Sequence, residues 1–288
     1  MTSELIAWKR VTPRRTRRQI DREFQPELVE GSRVVNRQSN RDRSIVMTHR
    51  TAETSPQLYV RIGGVLYLIT ILVGIFNEAL VKGSIVVPGD ATATAANLRS
   101  MESLWRLGIA GEMIVIMCTV ALTLVLYVLL RPVSRDLALL ATFFSLIATA
   151  VNAAYSLQLV EALFPLGNAG YLKAFTPEQL NAMASLSLKS HVFGFGIGLL
   201  LFGPFFLVSG YLIFRSTYFP RVIGILYQIG GVAYLANGFV LVLAPSFANQ
   251  IFAAIVVPAF VGEVSFCLWL LFKGVNVPKW EAKAATSA

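Results

Sequence analysis

LGIAGEMIVIMCTVALTLVLYVLL, residues 107–130, is the stretch that decides the fold class. A predominantly apolar run of about 20 residues is long enough to cross a bilayer as an α-helix. In this run, Glu112 is the only charged residue. Five further runs of the same kind lie at Leu58–Phe76, Leu137–Phe164, Val192–Phe214, Val222–Ala244 and Ile251–Phe272. The sequence therefore predicts an all-α polytopic membrane protein, with a domain of six transmembrane helices over residues 58–275.

The composition agrees with a membrane protein and excludes several other classes. Hydrophobic residues make up 55% of the chain and charged residues 14%, whereas a soluble domain carries about 25% charged residues. Cys118 and Cys267 both lie inside predicted spans, which excludes a disulfide framework between loops. The net charge of +9 lies mainly on one flank, because 13 of the 25 Lys and Arg residues precede residue 62. We therefore expect no nucleic-acid partner.

Residues 1–57 differ from the rest of the chain, since WKRVTPRRTRRQIDREF is basic and GSRVVNRQSNRDRS is polar. Such a segment buries too little apolar surface to fold, so we predict a disordered tail. Three interpretations stay open. The tail is attracted to anionic lipid, or it is a nucleic-acid arm, which its lack of interleaved aromatic residues disfavours, or the true start is Met47. At the other end, residues 276–288 are predicted to form a short cytoplasmic tail.

The distribution of basic residues predicts the orientation, because Lys and Arg accumulate in cytoplasmic loops. The N-terminal flank, the loops after Arg131 and Arg215 and the C-terminal tail together hold 20 basic residues, and the opposite side holds 5. Without residues 1–46 the ratio is still 9 to 5. We therefore expect a multi-pass protein of the cell inner membrane with both termini in the cytoplasm.

Two long outer connections are predicted to contain helices that lead into the next span. Asp90 is a candidate N-cap before an alanine-rich segment. Thr176, Pro177 and Gln179 have the pattern of a capping box with proline at the first helical position. The third outer connection, PSFANQ at residues 245–250, is predicted to be a tight turn.

The ends of the spans resemble one another. Spans two, four and six end in YVLLR, YLIFR and WLLFK, while spans one and five begin with RIGGVLY at Arg61 and RVIGILY at Arg221. Convergence is one explanation, because aromatic belts and basic anchors occur at any cytoplasmic interface. The RxxGxLY match goes beyond that rule and favours three helical hairpins as parallel repeats. Such repeats occur among transporters, although the link from repeat to transport is an analogy.

Span four contains several glycines in HVFGFGIG, residues 191–198. This is not a dinucleotide fingerprint, since no strand precedes it and the GxGxxG spacing is absent. Gly194 and Gly198 form a small-xxx-small face, which lets helices approach closely. We therefore interpret these glycines as packing residues.

Five polar residues within the spans are candidates for a functional site: Glu112, Glu161, His191, Asn237 and Glu263. Charged groups inside a membrane are costly and are functional candidates by default. At 1.5 Å per residue, Glu112 lies about 7 Å and Glu263 about 18 Å below the outer surface. The acidic residues are all at midplane depth or in the outer half, with no Lys or Arg at that depth to pair with them. The pattern predicts a polar cavity open to the outer side.

Such a cavity suits a small solute, a cation, a metal ion or a proton. Glu and His side chains are ligands for divalent metals, but no HExxH-like spacing occurs. Metal binding therefore stays open, and no cofactor is expected. The competing interpretation is that Glu112 and Glu161 reach the headgroup layer and that Glu263 is buried in protonated form beside a hydrogen-bonding neighbour.

Four segments carry a resemblance to a known family: VPGDATATAANL, RLGIAGEM, YVLLRPVSR and HVFGFGIGLLLFGPFFLVSGYLIFRSTYFPRVIGILY. Together they resemble the domain of unknown function 4386 family of bacterial membrane proteins. The resemblance covers about residues 55–275 and leaves the N-terminal tail outside, which supports Met47 as the start. It implies six or seven spans, and it brings no activity and no catalytic residues to carry over.

Three classes of function remain open from the sequence. A small transporter or permease would use the outer cavity and its carboxylates, with the bilayer and a small ion or solute as partners. A membrane partner or sensor protein would need neither. A membrane-embedded enzyme is least favoured, because the sequence shows no paired histidine motif, no serine with a base at a recognisable spacing and no nucleotide loop. The oligomeric state is not indicated.

Overall fold

The computed structural model describes residues 55–286, without side-chain detail for residues 248–251, 253 and 255. Within this part every regular element is helical and no strand occurs. The prediction of an all-α polytopic membrane protein is confirmed. The proposed start at Met47 and residues 1–54 of the predicted disordered tail lie outside the described part of the chain. The last residues of that tail, Pro56 and Gln57, begin the first helix.

Eight α-helices follow one another in the described residues. The first continues beyond Ile75 through a π-helical turn, Phe76–Lys82, and a last turn, Gly83–Ile85. The helices are α1 Pro56–Ile75, α2 Ala91–Ser100, α3 Glu102–Leu130, α4 Arg135–Glu161, α5 Pro177–Arg215, α6 Arg221–Leu243, α7 Pro245–Phe272 and α8 Val277–Ala285. Short 3₁₀ turns at Phe164–Leu166 and Gly170–Ala174 connect α4 to α5.

Five stretches of the described chain are long and apolar enough to cross a membrane. They are Pro56–Ile85, Glu102–Leu130, Arg135–Leu166, Pro177–Arg215 and Arg221–Leu243. A sixth span is reached when Val256–Phe272 and Val277–Ala285, which meet at 100°, are counted as one. The structure therefore has five or six candidate spans where the sequence predicts six.

The long helices form a closed ring in chain order. The order is α1, α3, α4, α5, α6 and α7; each helix packs against the next, and α7 packs against α1. The end of the ring that holds residues 131–134, 216–220 and 273–276 is called the proximal end, and the opposite end is called the distal end. Because each neighbour is antiparallel, all turns that follow α3, α5 and α7 meet at the proximal end.

Polar contacts of main-chain carbonyls tie the proximal end together. The Arg61 guanidinium donates to the carbonyls of Leu270 and Phe272, at 3.3 Å each, and so joins the start of α1 to the end of α7. The Tyr218 hydroxyl and the Trp280 indole both donate to the Leu129 carbonyl, at 2.7 and 3.1 Å. These bonds satisfy carbonyls that the last turn of a helix leaves without intrahelical partners.

Glycines bring α5 and α6 into close contact. An added Cβ on Gly224 would lie 2.6 Å from the Gly210 carbonyl oxygen, and one on Gly231 would lie 2.8 Å from the Gly203 carbonyl oxygen. The two helices carry these glycines at matching seven-residue intervals, at 196, 203 and 210 on α5 and at 238, 231 and 224 on α6. Small residues in such register let antiparallel backbones touch.

The distal connections fold as helices, as predicted. Asp90 Oδ1 accepts from the Ala93 amide at 2.9 Å, and Thr176 forms the expected reciprocal capping box with Gln179. The predicted turn at residues 245–250 is wrong, because α7 begins at Pro245 and only Ala244 separates it from α6. Proline is well suited to the first helical position, so PSFANQ starts a helix instead of forming a loop.

Candidate functional site

A chamber of about 380 Å³ lies inside the ring of helices. All six ring helices contribute to its wall, and the side chains are mostly aromatic, apolar, hydroxyl or acidic. We call this space the inner chamber. Representative lining residues, one from each helix, are Asn77, Glu112, Asn152, Phe202, Tyr234 and Glu263.

A second chamber of about 500 Å³ is also lined by all six spans. Apart from an overlap at Glu78, Phe195 and Gly196, its residues lie nearer the distal end than those of the inner chamber, so we call it the outer chamber. Glu78 and Phe195 border both spaces. Representative residues, again one from each span, are Lys82, Trp105, Leu159, His191, Asn237 and Val256. The two chambers therefore form one axial series from the distal end into the ring.

Glu112 lies in the distal part of the inner chamber, beside the π-helical turn of the first span. The Asn77 amide nitrogen donates to the Gly108 carbonyl at 3.1 Å and points to Glu112 Oε2 at 3.4 Å. The Asn77 carbonyl oxygen is buried without a hydrogen-bond partner in the described structure. π-Helical turns occur frequently at functional sites. Here the turn directs a buried amide to the only carboxylate of α3 that faces the chamber.

Glu263 lies in the proximal part of the inner chamber among tyrosines. The Tyr234 hydroxyl donates to Glu263 Oε1 at 2.5 Å. Next to this pair, the hydroxyls of Tyr67 and Tyr227 are hydrogen bonded to each other at 2.7 Å. The Phe206 ring stacks on Tyr227 with centroids 4.7 Å apart. The proximal part of the chamber wall is thus a network of polar groups enclosed by aromatic rings.

The two carboxylates lie at different depths of the same chamber. At a rise of about 1.5 Å per residue, Glu112 is about 27 Å from the proximal end of α3, and Glu263 is about 14 Å from that of α7. They are therefore separated by about 13 Å along the ring axis. The space between them is bordered by the phenylalanines of α5, including Phe202 and Phe206.

The outer chamber has a different chemistry. His191 is 4% exposed, and its Nε2 atom has no hydrogen-bond partner in the described structure. The rings of His191 and Tyr155 pack in a T-shaped arrangement, with centroids 5.0 Å apart. Asn237 is 3% exposed and lines the same space. Lys82 forms an ion pair with Glu78 and lies 6.0 Å from the centre of the Phe195 ring. The ammonium group of Lys82 therefore lies over the Phe195 ring, and its charge is balanced by Glu78.

A family model described as a domain of unknown function (DUF4386) matches residues 62–274. The chain belongs to the DUF4386 family. This confirms the resemblance drawn from the sequence segments. A curated protein of Archaeoglobus fulgidus, named only as uncharacterised, is 27% identical over 168 residues, which cover 58% of this chain and 83% of that protein. No solved structure matches the chain significantly.

The ring of helices separates the five candidate residues into three groups. Glu112 and Glu263 line the inner chamber, and His191 and Asn237 line the outer one. Glu161 lines neither chamber, since it is the last residue of α4 and lies half-buried beside the connection to α5. Among the described residues, no three His, Cys, Asp or Glu side chains come close enough to hold a metal ion.

Several residues that line the two chambers were not predicted as site residues from the sequence. Tyr67 and Tyr227 are the last residues of the two RxxGxLY segments, so the repeat did mark them, although for a different reason. Asn77 gave no signal beyond its place at the end of span one, because a π-helical turn has no reliable sequence pattern. The aromatic wall was visible only as apolar residues at helical spacing on α5.

Proposed function

We propose that this protein is a small transporter of the permease type, located in the cell inner membrane. Its termini are cytoplasmic, and the distal end of the ring faces outward. The observation that carries the proposal is the axial series of two chambers, each lined by all six spans. A solute that enters at the distal end meets His191 and Asn237 first, then Phe195, and then the carboxylates of the inner chamber.

The physical cost of the lining residues supports a functional role for the chambers. A carboxylate placed in a membrane span costs roughly 2.5–3.5 kcal/mol on insertion scales and is kept where it serves function. Substrate sites of transporters lie near the middle of the bilayer between helices, often at interrupted or distorted helical segments. Each carboxylate has one of these features, since Glu112 lies beside the π-helical turn and Glu263 lies in mid-ring.

The orientation is supported by the basic residues of the proximal end. Arg131, Arg135, Arg215, Arg221 and Lys273 all lie at or next to the proximal turns. Short loops rich in Lys and Arg remain on the cytoplasmic side. With the proximal end in the cytoplasm, the outer chamber opens to the outside.

Accessibility to a thiol reagent tests the path through the chambers. Cys118 is replaced by alanine, and Thr119→Cys is introduced into the inner chamber, with Val120→Cys as the matched control. Val120 is the next residue and is 45% exposed on the outer surface of the ring. A charged, membrane-impermeant methanethiosulfonate reagent should modify Thr119→Cys in right-side-out vesicles and spare Val120→Cys. Modification of Thr119→Cys only in inside-out vesicles would reverse the orientation, and protection in both would exclude a path.

Solute movement is tested with the purified protein in proteoliposomes on a solid-supported membrane. Concentration jumps of small cationic, zwitterionic and anionic solutes should give a current for at least one class. Glu112→Gln and Glu263→Gln should abolish that current at unchanged expression. Glu161→Gln is the control, since Glu161 lines neither chamber. Absence of current for all three classes, or full currents in both chamber variants, would exclude the proposed transport and favour a sensor or partner role.

A further inference from the structure

We propose that the inner chamber binds a small organic cation with an aromatic or bulky apolar body, with its charged head at Glu112. This assignment rests on the proposed solute path and names the class of solute. Three features of the chamber support it: the sign of its charges, the nature of its walls and the position of Glu112 on its distal side.

The charged side chains that line the inner chamber are all acidic, among the residues that the structure describes. Glu78, Glu112 and Glu263 contribute carboxyl groups, whereas no Lys, Arg or His is among the described residues that line the chamber. The nearest ammonium group, on Lys82, forms an ion pair with Glu78 and lines the outer chamber. This set of acidic groups favours a positively charged guest, because a nearby cation stabilises the ionised form of a buried carboxyl group.

The walls suit an organic body better than a bare ion. A volume of about 380 Å³ lies within the range of about 300–1,000 Å³ that small organic ligands occupy. Phenylalanine rings at positions 195, 202, 205, 206 and 260 line the chamber together with tyrosines. Faces of aromatic rings attract cations and also bury apolar groups. The described residues offer no cluster of three metal-ligating side chains.

Of the two deep carboxylates, Glu112 lies nearer the distal end, from which a solute would enter. Glu263 already accepts a bond of 2.5 Å from the Tyr234 hydroxyl. Glu112 interacts with the amide groups of Asn77, at 3.4 Å, and of Asn152, and since a carboxylate offers about four acceptor sites, it keeps acceptor positions for a guest. Glu112 and Phe195 also lie at similar heights, about 27 and 30 Å from the proximal ends of their helices. A cationic head at Glu112 therefore places the apolar body among the phenylalanine rings on the proximal side of Glu112.

The probe for this proposal is benzyltrimethylammonium, which combines a permanent charge with an aromatic body. Calorimetric titration into the purified full-length protein in detergent should show saturable binding. Tetramethylammonium, which lacks the body, should bind at least about tenfold more weakly, because it forgoes the burial of a ring. Phenylacetate, which has the body with the opposite charge, should not bind. Equal binding of all three compounds, or binding of phenylacetate alone, would overturn the proposal.

Matched glutamine variants locate the head group. Glu112→Gln should weaken binding of benzyltrimethylammonium about 10- to 100-fold, as expected for loss of a charged partner. Glu161→Gln, outside both chambers, should bind as the unmodified protein does. Unchanged affinity of a folded Glu112→Gln protein would contradict the assignment of the head group. If the cation binds and no solute moves in proteoliposomes, the ligand class stands and transport fails; if another solute class moves and the cation does not bind, the reverse holds.

Discussion

Gly224→Ala tests the contact between α5 and α6. An added Cβ would lie 2.6 Å from the Gly210 carbonyl oxygen, 2.6 Å from the Phe214 amide nitrogen and 2.9 Å from Phe214 Cα. All three atoms belong to the backbone of α5, so a change of rotamer cannot relieve the contacts. Ordinary van der Waals contact begins near 3.4 Å, and the two helices must therefore separate by about 0.8 Å.

The expected cost follows from two opposing effects. Overpacking costs about 1–3 kcal/mol, and contacts with three rigid backbone atoms place Gly224 near the upper limit. Replacing a helical glycine by alanine returns about 1 kcal/mol of helix propensity. We expect the free energy of unfolding to fall by about 2 kcal/mol. Gly74→Ala on α1 is the matched control, because its added Cβ meets nothing within 4 Å, and it should gain up to about 1 kcal/mol.

Unfolding in mixed micelles of dodecyl maltoside and sodium dodecyl sulfate, followed by far-UV circular dichroism, measures both variants. Equal stability of the Gly224→Ala and Gly74→Ala proteins would refute the reasoning. Gly210→Ala adds a second check, since its Cβ would lie 2.7 Å from the Gly224 carbonyl oxygen. Because the helices need to move apart only once, the double variant should lose clearly less than the sum of the single losses.

Two further predictions concern single hydrogen bonds. Tyr67→Phe and Tyr227→Phe each remove the bond of 2.7 Å between the two hydroxyls, and each should lower the free energy of unfolding by about 1 kcal/mol. The double variant should lose about as much as one single variant in the same micelle assay, whereas additive losses would show that the hydroxyls act separately. Asp90→Ala removes the cap of α2 at a cost of about 1 kcal/mol. Hydrogen exchange should therefore accelerate in α2 but not in α3, Asp90→Asn should preserve protection, and unchanged exchange in Asp90→Ala would contradict the role of the cap.

The spans and caps could be predicted because they depend on local sequence. Bilayer thickness sets the length of an apolar run, and an N-cap needs only the residues of one helical turn. The break between α6 and α7 could not be predicted in the same way. The polar letters of PSFANQ suggest a turn, yet Pro245 is suited to the first helical position, and the chain reverses at Ala244 alone. In these six residues, the preference of proline for a helix start outweighs the preference of the polar residues for a turn.

The candidate site was only partly accessible from sequence for a different reason. Depth along a span is countable, so Glu112 and Glu263 could be selected as polar residues in the membrane. Which residues share a space depends on the rotation of each helix and on the closure of the ring, neither of which one span encodes. Glu161 shows the limit, because it is similar to Glu112 in distance from a span end and yet lines neither chamber. Asn77 shows the converse, since a π-helical turn brings it to Glu112.

The hairpin-repeat hypothesis stays a prediction, and the ring shows where its matching residues lie. Tyr67 and Tyr227, which occupy the same position in their RxxGxLY segments, are hydrogen bonded to each other. Helix α4 begins with Arg135. It has Ala138 and Ala141 at the positions where α1 and α6 have glycine and tyrosine. Both alanines are buried, at 2% and 4% exposure. Under the repeat hypothesis, the three helices place their corresponding residues in the interior, and the third contributes a small side chain.

The same alignment explains why the carboxylates are the most informative residues of the chamber. Counted back from the aromatic residues that end spans two, four and six, Glu112 corresponds to Gly196 and Ala254, and Glu263 corresponds to Ala121 and Phe205. Each acid therefore occurs on one hairpin only. A repeated scaffold alone would give a symmetric and apolar interior. Two acids at two depths break that symmetry, with Glu112 near the distal side and Glu263 near the middle. The proposed solute path from the distal end requires an asymmetry of this kind.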